Sequence, residues 1–232
     1  MKIAIMQPYF FPYIGYFQLI NFVDRFVVYD DVSFINRGWV NRNHLLLNGK
    51  SFKFTVPLIE ASQNKLISEI CVVKDEKWKK KMLKTFELAY KKAPNYSVIY
   101  SLFDKILSSK YDTISQLNFL SIQEICDYLE LNTILELSTP IGNKDNLRGQ
   151  HRILDICKNM NATHYINPIG GEKLYDKTFF NESGVSINFL KTSDIIYQQY
   201  CGVFVPNLSI LDVLMFSDKE EINCLLKSFT LV

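Results

Sequence analysis

Lys2-Ile3-Ala4-Ile5-Met6-Gln7-Pro8-Tyr9-Phe10-Phe11-Pro12-Tyr13-Ile14-Gly15-Tyr16 is the stretch that decides the fold. Its first five residues form a short apolar run, the pattern of a strand buried on both faces. Gln7 to Pro12 breaks that run, because neither proline suits a central strand or a helix interior. From Tyr13 the spacing turns helical, with Tyr16, Leu19, Ile20 and Val23 on one face. Asp24-Arg25 ends this helix, and Phe26-Val27-Val28-Tyr29 follows as a second buried strand closed by Asp30-Asp31. Strand, loop, helix and strand in this order seed a doubly wound sheet. The fold expected is α/β: a Rossmann-like, mostly parallel sheet with helices on both faces and a helical insertion or subdomain. Ligands of such sheets bind beyond the carboxyl ends of the strands, so Gln7–Pro12 and Asp30–Asp31 are expected on one rim.

Further along, Ser51 to Leu58 alternates as a strand after a hairpin turn at Gly49-Lys50, and Ile70 to Val73 reads as another strand. Lys74 to Glu130 is helical, broken at Pro94-Asn95, with helices over Tyr96–Lys110 and Ser115–Glu130 and Ser115 as an N-cap. This block is the expected insertion; it divides the chain into 1–73, 74–130 and 131–232 within one compact unit. Asn132–Leu137, Thr163–Asn167 and Gly184–Phe189 read as strands, and Asn146–Met160 and Ile210–Phe216 as helices. Ser209, with Asp212 three residues on, has the form of a capping box.

The 26 basic and 24 acidic residues leave a net charge of +2, without the basic excess of a protein built on phosphate contacts, so no DNA partner is expected. No stretch reaches the roughly 18 apolar residues of a membrane span, and no secretory h-region precedes Gln7-Pro8. The five cysteines are scattered with no CxxC pair and read as small buried residues in a reducing compartment, which points to the cytoplasm. Metal-ligand spacings, a Gly-x-Ser-x-Gly elbow, a P-loop and the Rossmann glycine fingerprint are all missing, so the sequence specifies neither a metal nor a cofactor.

Several groups stand out as ligand contacts. Gln7, Tyr13, Gly15 and Tyr16 lie between the first strand and first helix, where helix N–H groups favour an anion and Gly15 permits close backbone approach. The competing reading of this motif is an aromatic plug over the core. Asp30 and Asp31 form the polar exit of the second strand. Their side chains leave a strand on opposite faces, which argues against a dyad. Arg37, Asn41, Arg42 and Lys53 are the best cationic group, suited to a diphosphate or carboxylate. Of the three histidines, His151 in a polar helix start is the acid–base candidate. Asn167, Gly170, Gly171 and Tyr175 belong to a second strand-then-turn whose paired glycines can expose backbone N–H groups.

Taken together, these segments resemble the WbqC-like protein family. The likeness rests on Ile5 to Phe17, Tyr29-Asp30-Asp31-Val32-Ser33-Phe34, Arg37-Gly38-Trp39-Val40-Asn41-Arg42-Asn43, Arg152 to Cys157, Tyr165 to Gly171, and Leu208 to Leu214. It implies a transferase that attaches an aminoacyl, possibly glycyl, or acyl group to an amino sugar in bacterial O-antigen or capsule polysaccharide biosynthesis. It brings no catalytic residues with it. A fainter likeness links Tyr13-Ile14-Gly15-Tyr16 with the His-x-Gly-His opening of the adenylate-forming nucleotidyltransferases. Tyrosine in both histidine positions carries no positive charge at neutral pH and puts that chemistry in doubt.

The partners expected are a nucleotide-linked amino sugar and an aminoacyl or acyl donor, with homo-oligomer formation left open. Arg37, Arg42 and Lys53 would hold the diphosphate, and Gln7, Tyr13 and Tyr16 would orient the acceptor. Asp30 or His151 would take the amine proton. The alternatives are an ATP-dependent ligase or nucleotidyltransferase and a non-catalytic sugar-nucleotide binding protein. The whole scheme requires Gln7, Asp30 and Arg42 to share one cavity.

Overall fold

The computed structural model of the protein describes residues 1–142, 147–200 and 202–232. β1 (Lys2–Met6), α1 (Ile14–Phe22) and β2 (Arg25–Val28) form the opening unit. The two strands pair in parallel, Ile3 beside Arg25 through Met6 beside Val28. A hairpin of β3 (Arg42–Leu47) and β4 (Lys50–Thr55) follows. It turns at Asn48-Gly49, both at positive φ, as a two-residue hairpin loop demands. Three helices come next: α2 (Glu76–Tyr90), α3 (Tyr96–Ser108) and α4 (Ile114–Tyr128). The rest of the chain is β5 (Ile134–Leu137), α5 (Gly149–Asn159), β6 (His164–Pro168), α6 (Lys177–Glu182), β7 (Ser186–Thr192), α7 (Ile210–Phe216), α8 (Lys219–Leu226) and β8 (Phe229–Leu231).

Six strands make one sheet in the order β5-β2-β1-β6-β7-β8, parallel except for the β7–β8 edge pair. Counted along the chain within the sheet, this is the 3-2-1-4-5-6 order of doubly wound folds. The chain builds outward from β1 through β2 to β5. It then returns through α5 and lays β6 on the other side of β1. The reversal of winding therefore lies between β1 and β6, and that is where such sheets open a crevice.

The alternation of β1 sorts the core into two layers. Ala4 joins Phe26, Val28, Ile166 and the buried faces of α1, α4, α7 and α8. Ile3 and Ile5 face the other way, with Val27, Tyr165, Ile187 and Phe189 beneath α5 and α6. Helices thus cover both faces, as the near-continuous apolar strands require.

Three local expectations change. Ile70 to Val73 makes only single bridges, Leu58 with Val72 and Cys71 with Thr113, because its backbone is shared between two different segments. α4 is capped by Thr113, whose side chain accepts from the Gln116 N–H, while Ser115 turns inward to Asp30. Ser209 caps α7, but Asp212 does not close a capping box; it is buried and accepts from Tyr90, Tyr197 and Gln199. Asn146, the expected start of the α5 helix, lies outside the described residues.

Candidate functional site

The loop leaving β1 is held almost atom by atom. Gln7 O accepts from the Tyr16 hydroxyl at 3.0 Å, and Pro8 O from Asn118 Nδ2 at 3.0 Å. Asn43 Nδ2 donates to Phe10 O (3.1 Å) and Phe11 O (2.6 Å). Ser209 Oγ donates to Phe11 O at 2.8 Å, and the Ile210 N–H to Pro12 O at 2.9 Å. The Phe10 N–H donates to Trp39 O at 3.1 Å. The two prolines have no N–H to satisfy, so carbonyls dominate the loop and donors from β3, α4 and α7 serve them. Phe10, Phe11 and Tyr16 are fully or nearly fully buried. The aromatic plug and the ligand loop are thus one structure: Phe10, Phe11 and Tyr16 fill the core, which leaves Tyr9 and Tyr13 facing outward beside the buried Pro12.

These outward residues wall a crevice at the β1–β6 reversal. One lobe, about 460 Å³, is lined by Met6, Tyr9, Pro12, Tyr13, Trp39, Asn43, Pro168 and Asn207. A second lobe of about 740 Å³ extends over the end of β7, past Gly170, Lys191, Thr192, Ser193, Asp194 and Tyr197. Tyr13, Pro168 and Asn207 belong to both. Each volume suits a small molecule. Burial raises the Tyr9 and Tyr13 phenols above their ordinary value, with the Thr192 hydroxyl beside Tyr13 working the other way. Both phenols therefore stay protonated at neutral pH and serve as hydrogen-bond donors and stacking faces. Among the described lining residues, Lys191 is the one cation and Asp194 the one carboxylate.

Glycines in the two loops make room for side chains. A Cβ on Gly15 would lie 2.4 Å from the Tyr13 ring, so Gly15 clears space for the folded-back Tyr13. A Cβ on Gly171 would lie 2.0 Å from Asn167 Nδ2. Asn167 is buried, accepting from the Tyr165 hydroxyl and donating to Pro168 O, so it braces the turn from within. Gly170 is open and borders the crevice. Tyr175 packs in the second core layer, its hydroxyl 3.2 Å from that of Tyr165.

Among the described residues and cavities, Gln7, Asp30 and Arg42 share no hollow. Gln7 is half-buried at the end of β1 and lines no described cavity. The Asp30 carboxylate is buried and accepts from Ser115 Oγ (2.8 Å), Thr139 Oγ1 (2.7 Å), the Thr139 N–H (3.2 Å) and, within reach, Ser138 Oγ (3.2 Å). With its lone pairs so engaged it is a joint between β2, β5 and α4 rather than an open base. Asp31 turns to the opposite side, where it takes Arg152 Nη2 at 2.7 Å; Asp155 holds Nη1 at 2.6 Å. The Ser138 hydroxyl stands between both carboxylates, and its single proton serves one of them at a time. Tyr16 is sealed, its phenol raised well above the ordinary value first by burial. His151 is exposed on α5 against the edge of Phe179. Arg37, Asn41 and Arg42 line a separate cleft, and Lys53 lies opposite His44 in the hairpin. The two exits do lie side by side on one rim, since β1 and β2 pair in parallel up to Met6 beside Val28, but they do not open into one crevice. The β1 exit meets that of β6, whereas β2 lies on the side of β1 away from the reversal.

The crevice walls Tyr9, Trp39, Asn43, Asn207, Lys191 and Asp194, and the clamps Asn118 and Ser209, are not among the contacts expected from the sequence. Asn118 left one trace: it interrupts an apolar stripe, Ile114, Leu117, Ile122 and Ile125, at a position that should be apolar. The cysteines divide. Cys126 and Cys157 are buried, each thiol pushed up to about 12 by burial, whereas Cys71 and Cys224 are exposed, against expectation. None of these four lines the crevice.

A family model described as the WbqC-like protein family matches residues 7–224. The chain is 30% identical over 216 residues to the uncharacterized protein Rv1507c of Mycobacterium tuberculosis, covering 92% of each chain. No solved structure matches. No helix among the described residues is long and apolar enough to cross a membrane.

Proposed function

The chain belongs to the WbqC-like protein family, and we propose that it is a transferase attaching an aminoacyl or acyl group to an amino sugar carried on a nucleotide. The observation behind this reading is the two-lobed crevice whose halves meet at Tyr13, Pro168 and Asn207. A transferase needs two ligands to meet at one point, and a shared wall between two lobes provides that meeting place. The aromatic lobe of Tyr9, Tyr13 and Trp39 suits the flat apolar faces of a sugar or base. The β7 lobe offers Lys191 to a phosphate and Asp194 to an amine.

In this scheme the neutral sugar amine attacks the acyl carbon, the carbonyl opens to a tetrahedral oxyanion, and the donor's leaving group departs with the bonding pair. Asp194 takes the proton that the nitrogen sheds, in place of Asp30 or His151. Tyr13, a protonated phenol at the junction, donates to the developing oxyanion. The role in polysaccharide biosynthesis, drawn from the family resemblance, and a cytoplasmic setting, drawn from the scattered cysteines, complete the reading. The nucleotidyltransferase alternative loses support because the Tyr16 hydroxyl is spent on Gln7 O.

The test is a mass-spectrometric turnover screen. A UDP-linked amino sugar is offered with aminoacyl-tRNA, acyl-CoA, or free amino acid plus ATP. One donor should yield the N-acylated sugar nucleotide, and Asp194→Asn should lower kcat by about 100-fold, the usual range for loss of a general base. Tight sugar-nucleotide binding with no product from any donor would replace the transferase with a binding protein. AMP released with a free amino acid would bring back the ligase.

A further inference from the structure

The cleft that holds Arg37, Asn41 and Arg42 has a composition of its own. It measures about 450 Å³ and is lined by Asn36, Arg37, Asn41, Arg42 and Thr55 over an apolar floor that includes Phe34 and Leu58. Two guanidiniums are its charged members, and no carboxylate lines it among the described residues. Arg42 Nε is buried and meets no acceptor among the described residues. A buried donor left unmet carries a real cost, and its usual explanation is a partner that the protein alone does not supply. Asn41 has spent its Nδ2 on Val56 O at 2.9 Å, which fixes the strand edge beside Arg42. Lys53 and Arg42 both depress the His44 imidazole, after burial, so the hairpin concentrates positive charge along this face.

We propose that the Arg37–Arg42 cleft is a phosphate-binding subsite, separate from the crevice, that takes the diphosphate or terminal phosphate of a nucleotide. The two hollows share no lining residue among those described, so the subsite stands apart from the transferase reading. Phosphate suits it better than carboxylate. Two guanidinium forks, the Asn36 amide and the Thr55 hydroxyl offer more donors than two carboxylate oxygens can accept, whereas a phosphate presents three or more. The apolar floor lowers the local dielectric and strengthens each contact.

Calorimetric titration of the full chain with inorganic pyrophosphate tests this without any turnover. Wild-type protein should bind pyrophosphate, with affinity falling steeply as salt rises, and should bind acetate far more weakly. Arg42→Gln should weaken pyrophosphate binding at least tenfold and Arg37→Gln several-fold, while Lys158→Gln, at an exposed lysine of α5 that lines neither hollow, leaves it unchanged. Arg37 is exposed, so its variant keeps the test valid should Arg42→Gln fail to fold. Undiminished binding in Arg37→Gln, an equal loss of binding in Lys158→Gln, or equal affinity for acetate would each overturn the assignment. A failed turnover screen would leave this titration untouched.

Discussion

Replacing Asn118 with alanine tests whether the loop after β1 is rigid because its carbonyls are served from outside it. Asn118 is fully buried on α4, and its Nδ2 donates to Pro8 O at 3.0 Å and Val40 O at 2.8 Å. One amide therefore joins the β1 loop to the segment entering the hairpin. Alanine removes both hydrogen bonds and leaves two carbonyls facing a dry hollow. An unmet buried polar group costs about 1–3 kcal/mol. Carbonyls tolerate it better than N–H groups, so the pair should cost about 3 kcal/mol in total. For a chain of this size that lowers Tm by roughly 10 °C. Asn118→Asp should be worse, because it sets a carboxylate against two carbonyl oxygens. The assay is urea denaturation with native-state hydrogen exchange. Exchange at the Phe10 N–H, which is bonded to Trp39 O, should speed up in both variants relative to the sheet amides. Stability within about 0.5 kcal/mol of wild type for both variants, with Phe10 still protected, would refute the clamp.

Other consequences concern Gly15 and Asp212. Gly15→Ala drives a methyl into the Tyr13 ring, which must swing away; stability should change by less than about 1 kcal/mol, while binding of a UDP-linked amino sugar weakens. The double variant Gly15→Ala/Tyr13→Ala should bind no worse than Tyr13→Ala alone, and additive losses would show that Gly15 meets the ligand itself. Burial raises the Asp212 carboxyl above its ordinary 3.8, with the Tyr197, Tyr90 and Gln199 hydrogen bonds opposing the shift. The folded state therefore holds this proton longer than the unfolded state does. Its contribution to stability is complete below about 3.8 and is lost as pH rises through the elevated folded value. In urea titrations, wild type should lose stability relative to Asp212→Asn across that window; parallel curves would sink the assignment.

The sequence by itself determined the sheet's beginning and pointed to the two loops that border the candidate site. The apolar runs of β1 and β2 left no other buried element of that length, and the prolines at 8 and 12 fixed where the first strand had to stop. It also pointed to the turn of Asn167, Gly170, Gly171 and Tyr175, of which Gly170 borders the crevice while Asn167 and Tyr175 pack inward. Which exits meet was decided only by the tertiary structure. Local pattern sets strand and helix, but whether β6 lands beside β1 or beyond β5 depends on long-range packing that no spacing encodes. That one choice moved the candidate site from Asp30 to Asp194. It also gave the glycines at 15 and 171 their work, since the contact each avoids is with a side chain placed by the fold.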